Sequence, residues 1–262
     1  MPIGEWILGA LSREPVAGAS AHGSVSYAPG KELALLRREY PGLSALVRGK
    51  RVVDFGCGTG EQAVALAREE GCEVLGIDSN PATLQRAREK AASQALANPV
   101  RFAETVTPEL AGKFDVVISQ NAMEHFPDPD HIVQFMKQLI HDDGVLLITF
   151  GPPWYAPYGS HMQYFCKLPW VNLLFSERTV MRVRSRYRSD GAQRYVDVES
   201  GLNQMSLAKF ERVVARAGLE VRHWHLTCVK GVNGLAALPL LRELFVDHVS
   251  CVLAPRNSTP QN

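Results

Sequence analysis

Three glycines alternate with other residues directly after a short β-branched run, where they can form a loop that lies against a bound cofactor. Gly56, Gly58 and Gly60 follow that run and open a helical pattern. Glycine tolerates positive φ and lets a ligand approach the backbone closely. Asp54 lies two residues before the first glycine, and Asp78 ends the next apolar run, 18 positions after Gly60. A carboxylate at the second place can accept both hydroxyls of a ribose, so the spacing predicts a cofactor site.

The overall composition narrows the class of protein. The chain has 262 residues, of which 46% are hydrophobic and 21% charged, and a net charge of +1. This length suits one larger α/β domain, or one domain with an insertion. A net charge so close to zero creates no overall field for nucleic acid, and we predict no nucleic-acid partner. No apolar run approaches the ~18–20 residues of a membrane helix, and the N-terminus shows no secretory signal.

The cysteines argue against a zinc site and against a disulfide framework. They are odd in number, widely scattered and form no CxxC pair: Cys57, Cys72, Cys166, Cys228 and Cys251. Neither metal ligation nor pairing is indicated by such spacing. We therefore predict a reducing, cytoplasmic location.

The order of apolar runs and helical patterns predicts the fold class. Five runs are predicted as strands, at residues 51–55, 73–77, 100–104, 114–119 and 145–150. Helical patterns separate them, and the last of these extends from residue 128 to Gly144. A helix at 206–218 precedes two final strands, 219–229 and 245–254, which we predict to pair as an antiparallel hairpin. The fold is therefore predicted as α/β, with a doubly wound, mostly parallel sheet of seven strands.

The alternation also predicts where the chain divides. We expect five segments: an N-terminal helical cap (1–45), a cofactor-binding core (46–151), an inserted substrate lid after strand five (152–205), the final helix and strands of the core (206–254), and a frayed tail (255–262). In the cap, Ile3, Trp6, Ile7 and Leu11 recur at helical spacing. This amphipathic helix is predicted to dock on the body, with attachment to a membrane surface as the alternative.

Within the lid, residues alternate on both sides of Asp190-Gly191, which predicts a β-hairpin. Four arginines at a spacing of two residues would then share one face of that hairpin: Arg182, Arg184, Arg186 and Arg188. Such a face could receive an anionic substrate, such as a phosphorylated or carboxylated metabolite. The alternative is an ordinary solvated surface.

The core motifs resemble those of class I S-adenosylmethionine-dependent methyltransferases, which have a Rossmann-like fold. The resemblance lies in three stretches: Val52 to Gly60, Gly76 to Asp78, and Phe114 to Ser119. It covers about residues 45–151 and, more loosely, 206–254. It implies that the cofactor is S-adenosylmethionine and that the substrate is a small molecule.

The resemblance also implies roles for individual residues. Asp54 and the loop with Gly56, Cys57, Gly58 and Gly60 would hold the methionine part of the cofactor. Asp78 and Ser79 would bind the ribose, and Glu104, at the end of strand three, would contact the adenine. Gln120 and Asn121, just past strand four, would lie near the sulfonium.

The residues after strands four and five bear on the type of substrate. Enzymes that methylate nucleic-acid amines carry an Asn/Asp-Pro-Pro-aromatic motif after strand four. Here that place holds Ser119 to Ala122 without proline, and Pro152-Pro153 follows strand five instead. This position excludes base-amine chemistry and makes the two prolines a stiff exit into the lid.

Glu124-His125 resembles a pair found in many small-molecule methyltransferases. In the O-methyltransferases of the ubiquinone pathway, a glutamate three residues earlier joins the pair to bind a divalent metal. Asn121 stands at that place, and the loss of a carboxylate weakens a site for a hard cation. We predict no metal here, and the alternative role for the pair is to cap and pack the next helix.

Methyl transfer to a hydroxyl needs a base, and only two histidines fall in segments expected at the carboxyl edge of the sheet. These are His161 in the lid, which is our first candidate, and His125 after strand four. The lid is rich in aromatic residues that can exclude water and face the sulfonium, and the predicted substrate-side residues are Trp154, Tyr155, Tyr158, Tyr164 and Trp170.

O-methylation of a small molecule is therefore the predicted function. Three alternatives stay open: transfer to nitrogen or carbon, a non-catalytic cofactor-binding or scaffold protein of the same fold, and, third, a nucleic-acid methyltransferase. The oligomeric state is not determined by the sequence, and a homodimer is compatible with it.

Overall fold

Seven strands form one mixed sheet in the computed structural model of the protein, which describes residues 2–14, 30–198 and 201–256. Their order is β3-β2-β1-β4-β5-β7-β6, with β7 antiparallel to both of its neighbours and the other neighbours parallel. The strands are β1 (Arg51–Phe55), β2 (Glu73–Ile77), β3 (Val100–Ala103), β4 (Phe114–Gln120), β5 (Ile140–Phe150), β6 (Leu219–Cys228) and β7 (Val246–Pro255). The predicted sheet and its terminal antiparallel pair are confirmed.

Helices cover both faces of the sheet. They are α1 (Ile3–Leu11), α2 (Ala34–Glu39), α3 (Leu43–Val47), α4 (Glu61–Glu70), α5 (Pro81–Ala92), α6 (Pro129–Leu139), α7 (Val171–Leu174), α8 (Glu177–Arg184), α9 (Leu207–Arg216) and α10 (Pro239–Phe245). On one face, buried residues of α6 and α9 such as Met136 and Phe210 pack against the strands. On the other face, Leu36 of α2 and Leu66 of α4 do so. Burial on both sides explains why the strands are almost entirely apolar.

Helix α6 is shorter than the sequence predicts. It ends at Leu139, and the chain is already extended at Ile140, which pairs beside Phe114 of β4. The glycine stop signal at Gly144 therefore lies within β5. Tertiary pairing of a buried β-branched residue overrides the local helix signal here.

Helix α1 packs on the body through the side that carries Glu5 and Leu8, which is opposite to the side with its four other large apolar residues. Glu5 and Leu8 are buried, and Leu8 belongs to the core of the insertion between β5 and α9. The Arg182 guanidinium of α8 donates to the Glu5 carboxylate at 2.7 Å. The four apolar residues from which the helix was predicted point outward instead: Ile3, Trp6, Ile7 and Leu11.

The insertion, defined as residues 152–205, contains no strand in its described part: the predicted hairpin segment 182–198 begins in α8 and continues through turns to a short 3-10 helix, Tyr195–Asp197. Ser176 caps α8 by accepting from the Thr179 N–H, and Val180 and Val183 are buried. The hairpin prediction is therefore wrong, because an N-cap and an apolar face that packs on α1 favour a helix. Residues 199–200 of the insertion, residues 15–29 of the predicted cap and residues 257–262 of the predicted tail lie outside the described residues.

The arginines of this segment do not share one face. Arg182 and Arg184 are two residues apart on α8 and therefore about 200° apart around its axis, whereas Arg186 and Arg188 lie beyond the end of the helix. Arg182 reaches Glu5, whereas Arg184 is only 2% exposed and donates from both terminal nitrogens to the Asp190 carboxylate. Arg188 lies over the Tyr164 ring, with 4.8 Å from its Cζ to the ring centroid. The predicted anion-binding ribbon is absent from the described part of the insertion.

The ion pair between the buried Arg184 and the exposed Asp190 should be important for the stability of the insertion. Asp190→Asn leaves the Arg184 guanidinium buried without its counter-charge, and we expect a loss of about 1–2 kcal/mol in the free energy of unfolding at pH 7, because solvent screens the exposed carboxylate. The Arg184 guanidinium lowers the pKa of Asp190 to about 2. The advantage of the wild type should therefore persist down to about pH 4 and disappear as the pH falls through about 2.

Urea unfolding of both proteins across this pH range measures the difference. Asp197→Asn is the matched control, since Asp197 pairs with Arg194 at the exposed surface. That substitution should change stability by less than about 1 kcal/mol. Equal losses of unfolding free energy in the two variants would contradict the importance of the Arg184–Asp190 pair for stability.

Candidate cofactor and active site

The glycine loop joins β1 to α4 and is tied to the end of β2. The backbone N–H groups of Gly56 and Cys57 both donate to the Ile77 carbonyl, at 2.8 and 3.0 Å. All three glycines have positive φ, between 52° and 82°. At Gly60, a Cβ atom would lie 2.9 Å from the Phe102 ring, so both space and backbone conformation demand glycine. The loop is thus a preformed concave turn at the carboxyl edge of the sheet.

Asp78 fixes this loop at its centre. One carboxylate oxygen accepts from the Gly58 N–H and the other from the Asn80 N–H, each at 2.9 Å. The carboxylate is partly exposed, as is expected of a group that also receives hydroxyls from a ligand. Ser79 beside it is exposed. Asp78 therefore has the position predicted for a ribose-binding residue, and it shapes the loop as well.

Asp54 is a buried carboxylate with incomplete hydrogen bonding. It is 2% exposed, and its Oδ1 accepts from the Gln62 side-chain amide at 2.7 Å. Its Oδ2 has no hydrogen-bond partner among the described residues. Burial, helped by the charge of Asp78, raises the pKa of Asp54 to about 7. A cationic N–H donor would satisfy this oxygen and stabilise its charge.

The turn after β4 lies over the glycine loop. Ala122 is the nearest neighbour to the position where a Cβ atom on Gly56 would lie, 3.6 Å away. Asn121 precedes it with a φ of 50°, and its N–H donates to the Thr149 carbonyl of β5. The Asn121 side chain accepts from the Thr149 hydroxyl at 3.3 Å. Gln120 is half-buried at the end of β4.

Glu104 is close to Asp78 along the edge of the sheet. It follows β3 directly, and the Asp78 N–H donates to the carbonyl of the preceding residue, Ala103. Its side chain is exposed. The residues predicted for the cofactor from β1, β2, β3 and β4 are therefore brought to one edge, as the topology requires.

Glu124 links the turn after β4 to the start of the insertion. It is buried, and its Oε1 accepts from the Gly151 N–H at 3.2 Å. Burial raises the pKa of the Glu124 carboxyl. Gly151 has a φ of 154°, and a Cβ atom there would lie 2.4 Å from the Asp247 carbonyl oxygen. Only glycine fits at this crossing of β5, β7 and the insertion.

The end of the insertion returns to the same turn. The Asn203 side-chain amide donates to the carbonyls of Met123 and Phe126 at 2.8 and 2.7 Å. The Trp154 N–H donates to the Met205 carbonyl, which joins the first and last residues of the insertion. The insertion is therefore held on the carboxyl edge of the sheet at both of its ends.

The two histidines predicted as bases meet at this place. Their ring centroids are 5.5 Å apart and their planes are perpendicular. His125 Nδ1 lies 2.8 Å from the Gly201 carbonyl oxygen. Because a carbonyl only accepts, Nδ1 carries the proton in the neutral ring, and the lone pair is on Nε2. His161 has a φ of 57°, and its Nε2 is buried.

The predicted substrate-side aromatics have varied surroundings. Trp154 is buried against Tyr195 in the core of the insertion, with ring centroids 4.8 Å apart. Tyr164 lies beneath Arg188, and the Trp170 indole donates to the Tyr155 carbonyl. Tyr155 and Tyr158 are the most exposed of the five, at 40% and 36%. Contact with substrate stays a prediction for all of them.

The described residues contain no group of three or more His, Cys, Asp or Glu side chains that could hold a metal ion. They also include no helix long and apolar enough to cross a bilayer. At the position of the third carboxylate, Asn121 is engaged by Thr149, and Glu124 is engaged by the Gly151 backbone. The second carboxylate oxygen of Glu124, Oε2, is buried with no hydrogen-bond partner among the described residues, and the absence of a metal stays a prediction.

Several residues that shape the site were missed from the sequence. Gln62 holds Asp54, Thr149 holds Asn121, and Asn203 anchors the insertion. Gln62 lies in the first turn of α4, directly after the glycine loop, and that position could have suggested it. Asn203 is 80 residues from Met123, and no local pattern connects such distant positions.

Comparison with known proteins agrees with this geometry. A family model described as a methyltransferase domain matches residues 30–223, well over half of the chain. The ubiquinone biosynthesis O-methyltransferase of Actinobacillus pleuropneumoniae serotype 5b is 39% identical over 107 residues, which are 38% of this chain and 45% of that protein. The chain thus matches less than half the length of this curated relative.

Solved structures of low sequence identity share the fold. The [4+2]-cyclase SpnF aligns with 93% of this chain and 86% of its own, with a TM-score of 0.57 and 15% identity. A magnesium protoporphyrin IX methyltransferase from Synechocystis PCC 6803, with bound SAH, aligns over 90% of this chain and 91% of its own, with a TM-score of 0.53 and 17% identity. At such identities the likeness establishes the fold alone. Taken with the match of the family model, it follows that the chain belongs to the methyltransferase domain family.

Proposed function

We propose that the chain transfers a methyl group from S-adenosylmethionine to a hydroxyl oxygen of a small molecule. The observation that carries this proposal is the meeting of His125 and His161 at the turn after β4, the turn whose Ala122 lies over the glycine loop. The cofactor, when bound, supplies a methyl group on a sulfonium. The protein supplies alignment, exclusion of water and a base.

The residues of the loop fit this cofactor. The open Oδ2 of Asp54 is suited to the ammonium of the methionine part, and Asp78 is suited to the ribose hydroxyls. Cys57 and the three loop glycines would line the backbone side of the cofactor. Ser79 and Glu104 would lie toward the nucleoside, and Gln120 and Asn121 toward the sulfonium.

His125 is the residue we propose as base. Its Nδ1–H is held by the Gly201 carbonyl, which fixes the ring and places the lone pair on Nε2. As the acceptor oxygen bonds to the methyl carbon and the carbon–sulfur bond breaks, the hydroxyl proton would pass to this nitrogen. His161, edge-on to the ring, would position it and face the acceptor together with exposed aromatics such as Tyr155 and Tyr158.

The curated relatives support a hydroxyl acceptor, because they are named O-methyltransferases of ubiquinone biosynthesis. The arginines that suggested an anionic acceptor give no such support: Arg182 and Arg184 are engaged in ion pairs. We therefore propose no charge for the acceptor molecule. A cytoplasmic location and a homodimer also stay predictions, and light scattering would decide the second.

The rival from another class is a protein that keeps the fold without methyl transfer. The likeness to a [4+2]-cyclase shows that this fold is shared by proteins named for other reactions. The two alternatives differ in what happens after cofactor binding. Turnover of the cofactor with an acceptor supports the transferase, whereas binding without turnover over a broad acceptor panel supports the rival.

Cofactor affinity should depend on the charge of Asp54. The pKa of its carboxyl is raised to about 7, so its ionised form becomes abundant only as the pH rises through that value. We expect S-adenosylmethionine to bind roughly twentyfold more tightly at pH 7.5 than at pH 5.5. Asp54→Asn should weaken binding at pH 7.5 by at least about tenfold and abolish this pH dependence. Isothermal titration calorimetry measures both.

Two controls separate this effect from unfolding. Asp142→Asn, at an exposed site, should bind as the wild type does. In the free protein, the raised pKa of Asp54 means that stability falls as the pH rises from about 4 to about 7. Asp54→Asn should therefore melt at a higher temperature than the wild type at pH 8 and at a similar temperature at pH 4. A variant that melts earlier at pH 8 would contradict this account of the carboxylate.

Replacement of His125 should affect the chemical step. His125→Ala is expected to lower kcat about 10²–10⁴-fold for hydroxyl acceptors, and to leave cofactor affinity within twofold of the wild type. Methyl transfer is measured with labelled S-adenosylmethionine and matched pairs of phenolic and aniline acceptors.

The exposed histidine His223, on edge strand β6, provides the matched control, and His223→Ala should retain full activity. A loss below about fivefold in His125→Ala would argue for transfer to nitrogen or carbon, in which positioning alone suffices. A large loss of kcat in His161→Ala alone would make His161 the base and His125 the residue that positions it.

A further inference from the structure

Helix α1 presents an apolar face to solvent. Trp6 is 63% exposed and Ile3 is 78% exposed, and the other large apolar residues of the helix, Ile7 and Leu11, are exposed as well. At 100° per residue these four and Ala10 form one continuous stripe along the helix. The opposite side, with Glu5 and Leu8, packs on the insertion. No described residue covers the stripe.

A neighbouring helix extends this surface. Gly4 of α1 lies against α8 and the end of α7: a Cβ atom there would lie 3.7 Å from the Phe175 ring. The residues just before Phe175 are Leu173 and Leu174, which are 44% and 61% exposed. Two separate elements of the chain thus bring exposed large apolar side chains to one region. A contiguous exposed apolar surface often marks an interaction site, whereas single scattered apolar residues are normal on any protein surface.

The segment on which α1 packs is rich in positive charge. Residues 151–198 contain seven Lys and Arg against three Asp and Glu, whereas the whole chain has a net charge of only +1. Arg182 and Arg186 lie against α1, through Glu5 and the position of Gly9, and Arg178 is one turn earlier on α8. The three acidic side chains of this segment are all engaged: Glu177 accepts from the Tyr195 N–H, and Asp190 and Asp197 accept from arginines.

The size of the stripe argues against a second copy of the chain as its occupant. Nine helical residues extend only about 13 Å, and the exposed side of one helix is about 10 Å wide. A stable protein interface buries ~800 Å² on each partner, several times this area. A bilayer has no such requirement, because it surrounds each side chain that enters it. A tryptophan at the margin of an apolar stripe, on a helix that packs against an arginine-rich segment, suits the headgroup region.

We propose that α1 docks this protein on the surface of an anionic lipid bilayer. Trp6, Ile7 and their neighbours enter the headgroup boundary, and the exposed Arg178 of α8 faces the lipid phosphates. The helix neither spans the bilayer nor detaches from the body, since Leu8 stays in the core of the insertion. The insertion at the edge of the proposed active site would then lie close to the membrane. This inference is independent of the proposed methyl transfer.

Vesicle sedimentation tests the proposal with the full chain and without cofactor. The probes are vesicles of phosphatidylcholine alone and of a seven-to-three mixture with phosphatidylglycerol. The wild type should bind the anionic vesicles at least about fivefold better than the neutral ones at low salt, and high salt should reduce this difference. The emission of Trp6, obtained as the difference between the wild type and Trp6→Phe, should shift to the blue on binding.

The double variant Trp6→Ser/Ile7→Ser should lose binding by at least about tenfold, because two large apolar side chains no longer enter the lipid. Both positions are exposed, so its melting temperature should match that of the wild type. Val232→Ser/Leu238→Ser is the control: these residues are 51% and 50% exposed on another part of the chain, and their replacement should leave binding within twofold.

Three results would overturn the proposal. The wild type could fail to bind anionic vesicles, or the double variant could bind as well as the wild type. The third is a dimer in lipid-free solution that the double variant converts to a monomer, which would assign the stripe to a second copy of the chain. Light scattering over a range of protein concentrations distinguishes this last case.

Discussion

The arrangement of the site depends on hydrogen bonds between the turn after β4 and both ends of the insertion. Glu124 accepts from the Gly151 backbone where the insertion begins, and Asn203 donates to the turn where the insertion ends. His125 is held in the same way, by the Gly201 carbonyl. Without these contacts, His161 and the aromatic residues would have no fixed relation to the glycine loop. Several are buried, where their net value is larger than in water.

Burial of the Asp54 carboxylate lowers the stability of the free protein. The carboxylate is buried with one oxygen unsatisfied among the described residues, and its pKa is raised to about 7. A residue chosen for stability alone would be apolar or fully paired at this position. In the function we propose, a bound cation would supply the missing partner, and the unfavourable burial in the free protein would become binding specificity. Asp78, by contrast, already stabilises the loop in the free protein.

Helix α1 illustrates a limit of reading amphipathic patterns. Its spacing correctly predicts a helix, and the usual inference is that the apolar side faces the core. Here Glu5 and Leu8 face inward because Arg182 of α8 provides a partner for the carboxylate. The larger apolar side chains remain outside. An amphipathic pattern indicates that a helix has two different sides. The elements that pack against the helix decide which of the two sides is buried.

The sequence by itself determined the sheet, its terminal antiparallel pair and the loop with Asp54 and Asp78, because these depend on local periodicity, on glycine and on short spacing. It also identified His125 and His161 as the two candidates for the catalytic base. Tertiary structure alone decided the rest. The predicted hairpin at 182–198 does not form, and its first residues belong to α8, on which α1 packs. Helix α6 stops at Leu139 because Ile140 pairs with β4. Contacts such as Asn203 with Met123 join positions 80 residues apart, and burial and ion pairing between such distant segments leave no local signal.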